Sequence, residues 1–110
     1  MSLDQQFFAL SDPTRRAVLA AIKEGPRPVG EIARDLPVSR PAVSQHLKIL
    51  KEADLVTERR DGTRNYYGLS PTGLGALREF IEDYWHIAIG SFKALAESTA
   101  SLTKDKGENS

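Results

Sequence analysis

The stretch 29-VGEIARDLPVSRPAVSQHLKILKEA-53 carries two short helical patterns with a break between them. Ile32, Ala33 and Leu36 share one face, so a brief helix fits Val29 to Leu36. Pro37 cannot easily continue it, because the ring fixes φ and removes a donor. Ser39 is then a good N-cap for a second helix from about Arg40 to Ala53. Val43, Leu47 and Leu50 recur there at i, i+4 and i+7, the stripe of a helix buried on one side. Val38 plugs the turn, and Ala33 is small where the two helices must cross closely. A short helix, a tight turn and a longer helix make a helix-turn-helix.

What the second helix exposes gives that arrangement a use. With Val43 at zero and about 100° per residue, Ser44 falls near 100°, Lys48 near 140°, Pro41 near 160° and Gln45 near 200°. Those side chains suit a DNA major groove: Gln pairs bidentately with adenine, Ser donates or accepts, and Lys reaches phosphate or guanine. His46 falls only about 60° from the core centre, where it reads as a partly buried, hydrogen-bonded packing residue.

Downstream, residues 55–60 and 63–69 are β-leaning runs joined by Asp61-Gly62, a two-residue hairpin signal. Arg59, Arg60 and Arg64 sit around that tip, where cations can meet phosphates or enter a minor groove. They could equally keep an edge strand soluble, and beside a helix-turn-helix the DNA role is the stronger reading. Ser70-Pro71 opens a last helix. Leu74, Leu77, Ile81, Tyr84, Ala88, Ser91 and Leu95 repeat along it by threes and fours, longer than a small core needs. Phe80, Trp85, Ile87 and Phe92 flank that stripe, and after about Ala96 the chain turns polar, as a frayed tail over 97–110 would.

Upstream, residues 3–10 form a short apolar segment with Phe7 and Phe8 adjacent. Asp12-Pro13 starts a helix carrying Val18, Leu19 and Ile22, and Gly25-Pro26 stops it. Arg15 and Arg16 open that helix, where its dipole disfavours cations; an acidic neighbour or a phosphate could hold them. The expected fold is mainly α with a small β-hairpin, a winged helix-turn-helix over residues 1–96. Its parts are a helix-turn-helix at 29–53, a wing at 55–69 and a dimerisation helix at 71–96.

The chain has 110 residues, the size of one domain, with a small core that leaves little room for an enclosed active site. No apolar run is long enough to span a membrane, and the start lacks a secretory pattern, so cytoplasm is expected. Cysteine is absent, which excludes disulfides, thiolate metal sites and thiol redox sensing. Fifteen basic residues balance fifteen acidic ones, so a nucleic-acid partner would use a local patch rather than the total charge. Two His and no Gly-rich phosphate loop leave no nucleophile–base pair or nucleotide site, which argues against an enzyme.

The runs ALSDPTRRAVLAAI, VGEIARDLPVSRPAVSQHLKILKEADLV and RRDGTRNYYGLS resemble the ArsR/SmtB family of bacterial winged-helix repressors, over about residues 5–90. The resemblance implies a symmetric homodimer, paired mostly through its terminal helices, that represses transcription from a two-fold DNA operator. Family members often release DNA when a metal binds. The segment Val29–Arg34 lacks the family's cysteines, and the last helix offers only Glu79, Glu82, Asp83 and His86. One imidazole is thin for zinc, so no metal and no cofactor are expected. Two further departures are Pro37, where many helix-turn-helix sequences have Gly, and Asp54, which replaces the Gly common before Leu-Val and suggests a strained or differently capped helix end.

The expected DNA-facing set is Ser39, Arg40, Pro41, Ser44, Gln45, Lys48, Arg59, Arg60 and Arg64. The expected dimer interface is Phe7, Leu74, Leu77, Ile81, Tyr84, Ala88 and Leu95. Tyr66, Tyr67 and Trp85 could line an effector pocket, although aromatics so placed are more often core or interface. A winged-helix module that only associates with other proteins is the alternative; neutral total charge favours it, and Ser44, Gln45 and Lys48 on one face argue against it.

Overall fold

The computed structural model describes residues 2–109, with side chains described over residues 2–99. The elements are α1 (Leu3–Leu10), α2 (Pro13–Ala20), β1 (Arg27–Pro28), α3 (Val29–Arg34), α4 (Arg40–Glu52), β2 (Val56–Asp61), β3 (Arg64–Leu69) and α5 (Pro71–Asn109). They fall into two compact units, residues 1–77 and 78–110, where the sequence suggested one domain over 1–96. Every buried side chain among the described residues precedes Arg78, so the core they form lies in the first unit.

In that unit the helix starts follow local chemistry. Ser2 and Gln5 form a reciprocal capping box on α1. Asp12 caps α2, its carboxylate accepting from the Thr14 N–H at 2.7 Å. That bond, helped by Arg15, holds the Asp12 carboxyl below the usual carboxylate range. The partners of Arg15 and Arg16 are chiefly carbonyls. Arg15 donates to Ala9 O at 2.8 Å and Phe8 O at 3.2 Å, and Arg16 donates to Leu10 O at 2.7 Å. The end of α1 has no basic residue of its own in its last turn, and these two cations satisfy its open carbonyls.

Val18 and Ile22 pack with Ile32, Val43, Leu47, Leu50, Leu55 and Val56 to form the core. Fully burying each large aliphatic contributes roughly 1.5–3 kcal/mol. Val38 is half-buried against this cluster, as a turn plug should be. α3 stops at Arg34, two residues short of the expected end, and Asp35 is its C-cap. Arg27 staples it: the guanidinium donates to Ala21 O at 3.0 Å, Glu31 O at 3.1 Å and Asp35 Oδ2 at 2.7 Å.

The sheet is antiparallel in the order β1-β3-β2. β1 has two residues, Arg27 paired with Tyr67 and Pro28 with Tyr66, in a segment the sequence pattern reads as loop. In the hairpin, Asp61 pairs with Arg64, so the turn is Gly62-Thr63, one residue later than expected. Gly62 has φ 65°, the glycine-favouring region that such turns require at their first central position.

α4 ends in a residue that departs from the expected backbone type. Asp54 has φ 56°, the left-handed region. The Leu55 N–H reaches Leu50 O at 2.9 Å and the Asp54 N–H reaches Lys51 O at 3.0 Å, a Schellman ending with Asp where Gly is usual. Asp tolerates this conformation better than most residues. Its carboxylate also accepts from Ser70 Oγ at 2.9 Å.

The second unit is helix throughout its described length. α5 extends to Asn109, beyond the Ala96 end that composition suggested. The expectation of a loose tail over 97–110 falls, from residue 100 on, outside the described side chains. No helix among the described residues is long and apolar enough to cross a membrane.

Candidate nucleic-acid interface

Burial of Val43, Leu47 and Leu50 on one side of α4 turns the other side outward. Pro41, Ser44, Gln45 and Lys48 are all exposed there, in the arrangement the 3.6-residue period dictates. Ser39 caps the helix, its Oγ accepting from the Ala42 N–H at 3.3 Å while the hydroxyl proton stays available to donate. His46 is half-buried beside this face. Its Nδ1 has no hydrogen-bond partner among the described residues, so it is a packing residue without the bond expected of it.

Arg40 folds back towards α3. A Cβ placed on Gly30 would lie 3.8 Å from its Nη1. Arg40, Arg34 and Arg64 border one cleft of about 370 Å³, together with Pro28, Gly30, Thr63, Asn65 and Tyr67. The cleft opens where β1 ends at Pro28 and β3 has no strand neighbour on that side. Glu31 is the acid at its edge, 3.9 Å from Arg34 and already engaged by Arg27 at 3.7 Å. Arg40 and Arg64 have no ion-pair partner among the described residues, and both are exposed. Sequence reasoning had Arg40 and Arg64 but neither the cleft nor Arg34, because only the fold brings α3 beside the wing.

The wing arginines do not form one cluster. Strand side chains alternate faces, and the register pairs Arg59 with Tyr66 and Arg60 with Asn65. Arg59 therefore projects from the opposite face to Arg60. Arg60 Nε also donates to Gly62 O at 3.1 Å, which bends it around the turn.

Two acids lie in the basic hairpin, Asp61 exposed at its tip and Glu58 half-buried nearer its base. Glu58 accepts from Lys51 Nζ at 2.7 Å through one carboxylate oxygen and from the Tyr67 hydroxyl at 2.9 Å through the other. The Lys51 bond first, then the Tyr67 bond, hold the Glu58 carboxyl below its usual range. Burial, and then donation to Glu58, push the Tyr67 phenol up. The only sequence signal for this trio was an acid directly before Arg59 and Arg60, which Asp61 directly after them matches, so the sequence did not single Glu58 out.

Of the side chains expected at a dimer interface, Leu74 and Leu77 are half-buried against the first unit's own core. Phe7 is 42% exposed on α1. In the second unit Ile81, Tyr84 and Leu95 are more than half exposed, as are Trp85, Ile87 and Phe92, and Ala88 is exposed with them. At about 100° per residue, Phe92 and Trp85 fall about 20° and 40° from Ile81 on the side away from Tyr84 and Leu95, so they flank the stripe and widen the exposed apolar face. Among the described residues no group of three or more His, Cys, Asp or Glu is placed to hold a metal.

A helix-turn-helix domain family matches residues 10–59. The HTH-type transcriptional regulator Rv2034 of Mycobacterium tuberculosis is 54% identical over 102 residues, which span 93% of this chain and 95% of that protein. A solved structure described as a possible transcriptional regulator for arsenical resistance is 42% identical with a TM-score of 0.66, over 74% of this chain and 84% of the other. The homodimeric winged helix-turn-helix DNA-binding domain of Mb0332 from Mycobacterium bovis, a possible ArsR-family regulator, is 30% identical with a TM-score of 0.61. That match covers 76% of this chain and 81% of the other.

Proposed function

Because the chain belongs to the ArsR/SmtB family of winged helix-turn-helix transcriptional regulators, we propose that it is a homodimeric repressor that reads a two-fold DNA operator in the cytoplasm. The observation that carries this reading is the α4 face of Ser44, Gln45 and Lys48, exposed opposite buried Val43, Leu47 and Leu50. Gln45 and Ser44 read base edges in the major groove, with Pro41 at the groove wall and Lys48 on guanine or phosphate. Ser39, Arg40, Arg59, Arg60 and Arg64 hold the backbone, and the cleft that Arg40 shares with Arg34 and Arg64 takes a phosphate.

The dimer forms through the exposed apolar face of α5, which includes Ile81, Trp85, Ala88 and Phe92. So many large apolar side chains on one helix face match the composition of an interface core. A homodimer places two α4 helices in successive turns of one DNA face, so each subunit takes one half-site. The helix-turn-helix at 29–53, the wing at 55–69 and the α5 stripe before Ala96 are the three working parts.

The test is fluorescence anisotropy on genomic promoter fragments at two salt concentrations. Tight binding to a subset of fragments, weakening as salt rises, is the expected result. Equal, feeble binding to every fragment would contradict sequence-specific reading.

A further inference from the structure

Glu58 is one of two acids in the proposed DNA-binding wing, and unlike exposed Asp61 it is half-buried and bonded through both oxygens. A carboxylate there repels DNA, and the ion pair it makes is half-exposed, the Lys51 and Glu58 side chains being 52% and 24% accessible. Pairs of that kind contribute little to stability. Its geometry is more informative. Glu58 uses one oxygen for Lys51, in the last turn of α4, and the other for Tyr67, its cross-strand partner on β3. One carboxylate therefore ties the helix to both strands of the hairpin. Arg59 and Arg60 follow it directly, and Arg64 leaves the turn three residues before Tyr67.

We propose that Glu58 is a positioning residue for DNA binding: through Lys51 and Tyr67 it locks the wing against α4. The wing arginines then reach phosphates in the same docking in which Ser44 and Gln45 reach bases. This rests on the DNA-binding reading above. The fixed angle matters because β3 has no partner on its β1 side beyond Tyr66, so the tip has few other restraints.

Charge and position predict opposite signs, which makes the inference testable. Removing a negative charge from a DNA-facing surface should tighten binding if Glu58 acts only by charge. The positioning role predicts that Glu58→Gln weakens operator binding and lowers the salt slope by roughly one for each phosphate that the wing no longer neutralises in a subunit. Tyr67→Phe changes no charge and should weaken binding in the same direction. Arg60→Ala should cost less in the Glu58→Gln background than in the native one, because the wing is already misplaced there. Salt titrations of the native protein and the variants, on a fragment recovered by selection from random DNA and on its scrambled version, read all of these. Thermal melts confirm that each variant is folded. Should Glu58→Gln misfold, Tyr67→Phe alone carries the test. Unchanged or tighter binding by the folded variants, with Arg60→Ala equally costly in both backgrounds, would overturn the proposal. A native protein that binds no DNA would instead remove the reading on which it rests.

Discussion

The carbonyl oxygen of Asp54 fills the space where a side chain on Gly73 would begin: a Cβ built there would overlap it. The end of α4 is thus seated directly on the first turn of α5. Two further bonds hold the seat, Ser70 Oγ to Asp54 Oδ1 at 2.9 Å and Gln6 Nε2 to Gly73 O at 2.9 Å. The left-handed conformation of Asp54 turns its carbonyl into this position.

Gly73→Ala should therefore destabilise the protein by about 3 kcal/mol, the upper end for overpacking, since the clash is with backbone rather than a flexible side chain. Gly75→Ala is the control. Nothing lies within 4 Å of its added Cβ, and helix propensity alone should stabilise by about 0.5–1 kcal/mol. Urea unfolding of both variants decides it, and equal midpoints would contradict the packing argument.

The cleft bordered by Arg34, Arg40 and Arg64 should behave as a phosphate site. Arg34→Ala and Arg40→Ala should each lower the salt slope by roughly one per subunit on operator and scrambled DNA alike. An effect confined to operator sequence would place these side chains on bases instead.

Ile81→Asp and Phe92→Asp should each shift the dimer towards monomer, because both put a charge into the exposed apolar face of α5. Core stability should change little, since neither residue is buried. Sedimentation at micromolar concentration measures the state. A native chain that is already monomeric would contradict the assignment of that face.

Acid should weaken the fold through Asp12 and Glu58. Both carboxyls sit lower in the folded chain than in the unfolded one. Their contribution is present above the ordinary carboxylate range and is lost as pH falls through and below it. Melting temperature should hold from neutral pH to about pH 5 and decline below. Asp12→Asn keeps a capping oxygen without the titration, so it should flatten part of that decline. An unchanged acid limb would show that other carboxylates govern it.

The elements that were legible in the sequence are those whose causes are local. Asp12-Pro13 and Ser39 announce helix starts through caps, and Val43, Leu47 and Leu50 announce the buried side of α4 by spacing alone. β1 was not legible, because a two-residue strand exists only where Tyr66 and Tyr67 meet Arg27 and Pro28 in space. The hairpin turn was displaced by one residue for a similar reason. Asp61-Gly62 and Gly62-Thr63 both contain the glycine, and only the register with Leu69 opposite Val56 decides between them. The exposed face of α4 followed from periodicity, whereas the cleft and the Glu58 trio depend on separate elements meeting. α5 passes Ala96 because no Gly or Pro interrupts residues 91–106; polar composition does not by itself end a helix.

The most direct measurement of the central claim is selection from random double-stranded DNA by the native protein and by Gln45→Ala. The native chain should enrich two related half-sites in inverted orientation, with centres about one helical turn apart or a multiple of it. Gln45→Ala should enrich the same spacing with one position per half-site relaxed, a loss of about 1–3 kcal/mol against the preferred base. No enrichment by the native chain, or an identical motif from both proteins, would contradict the account of α4 as the reading helix.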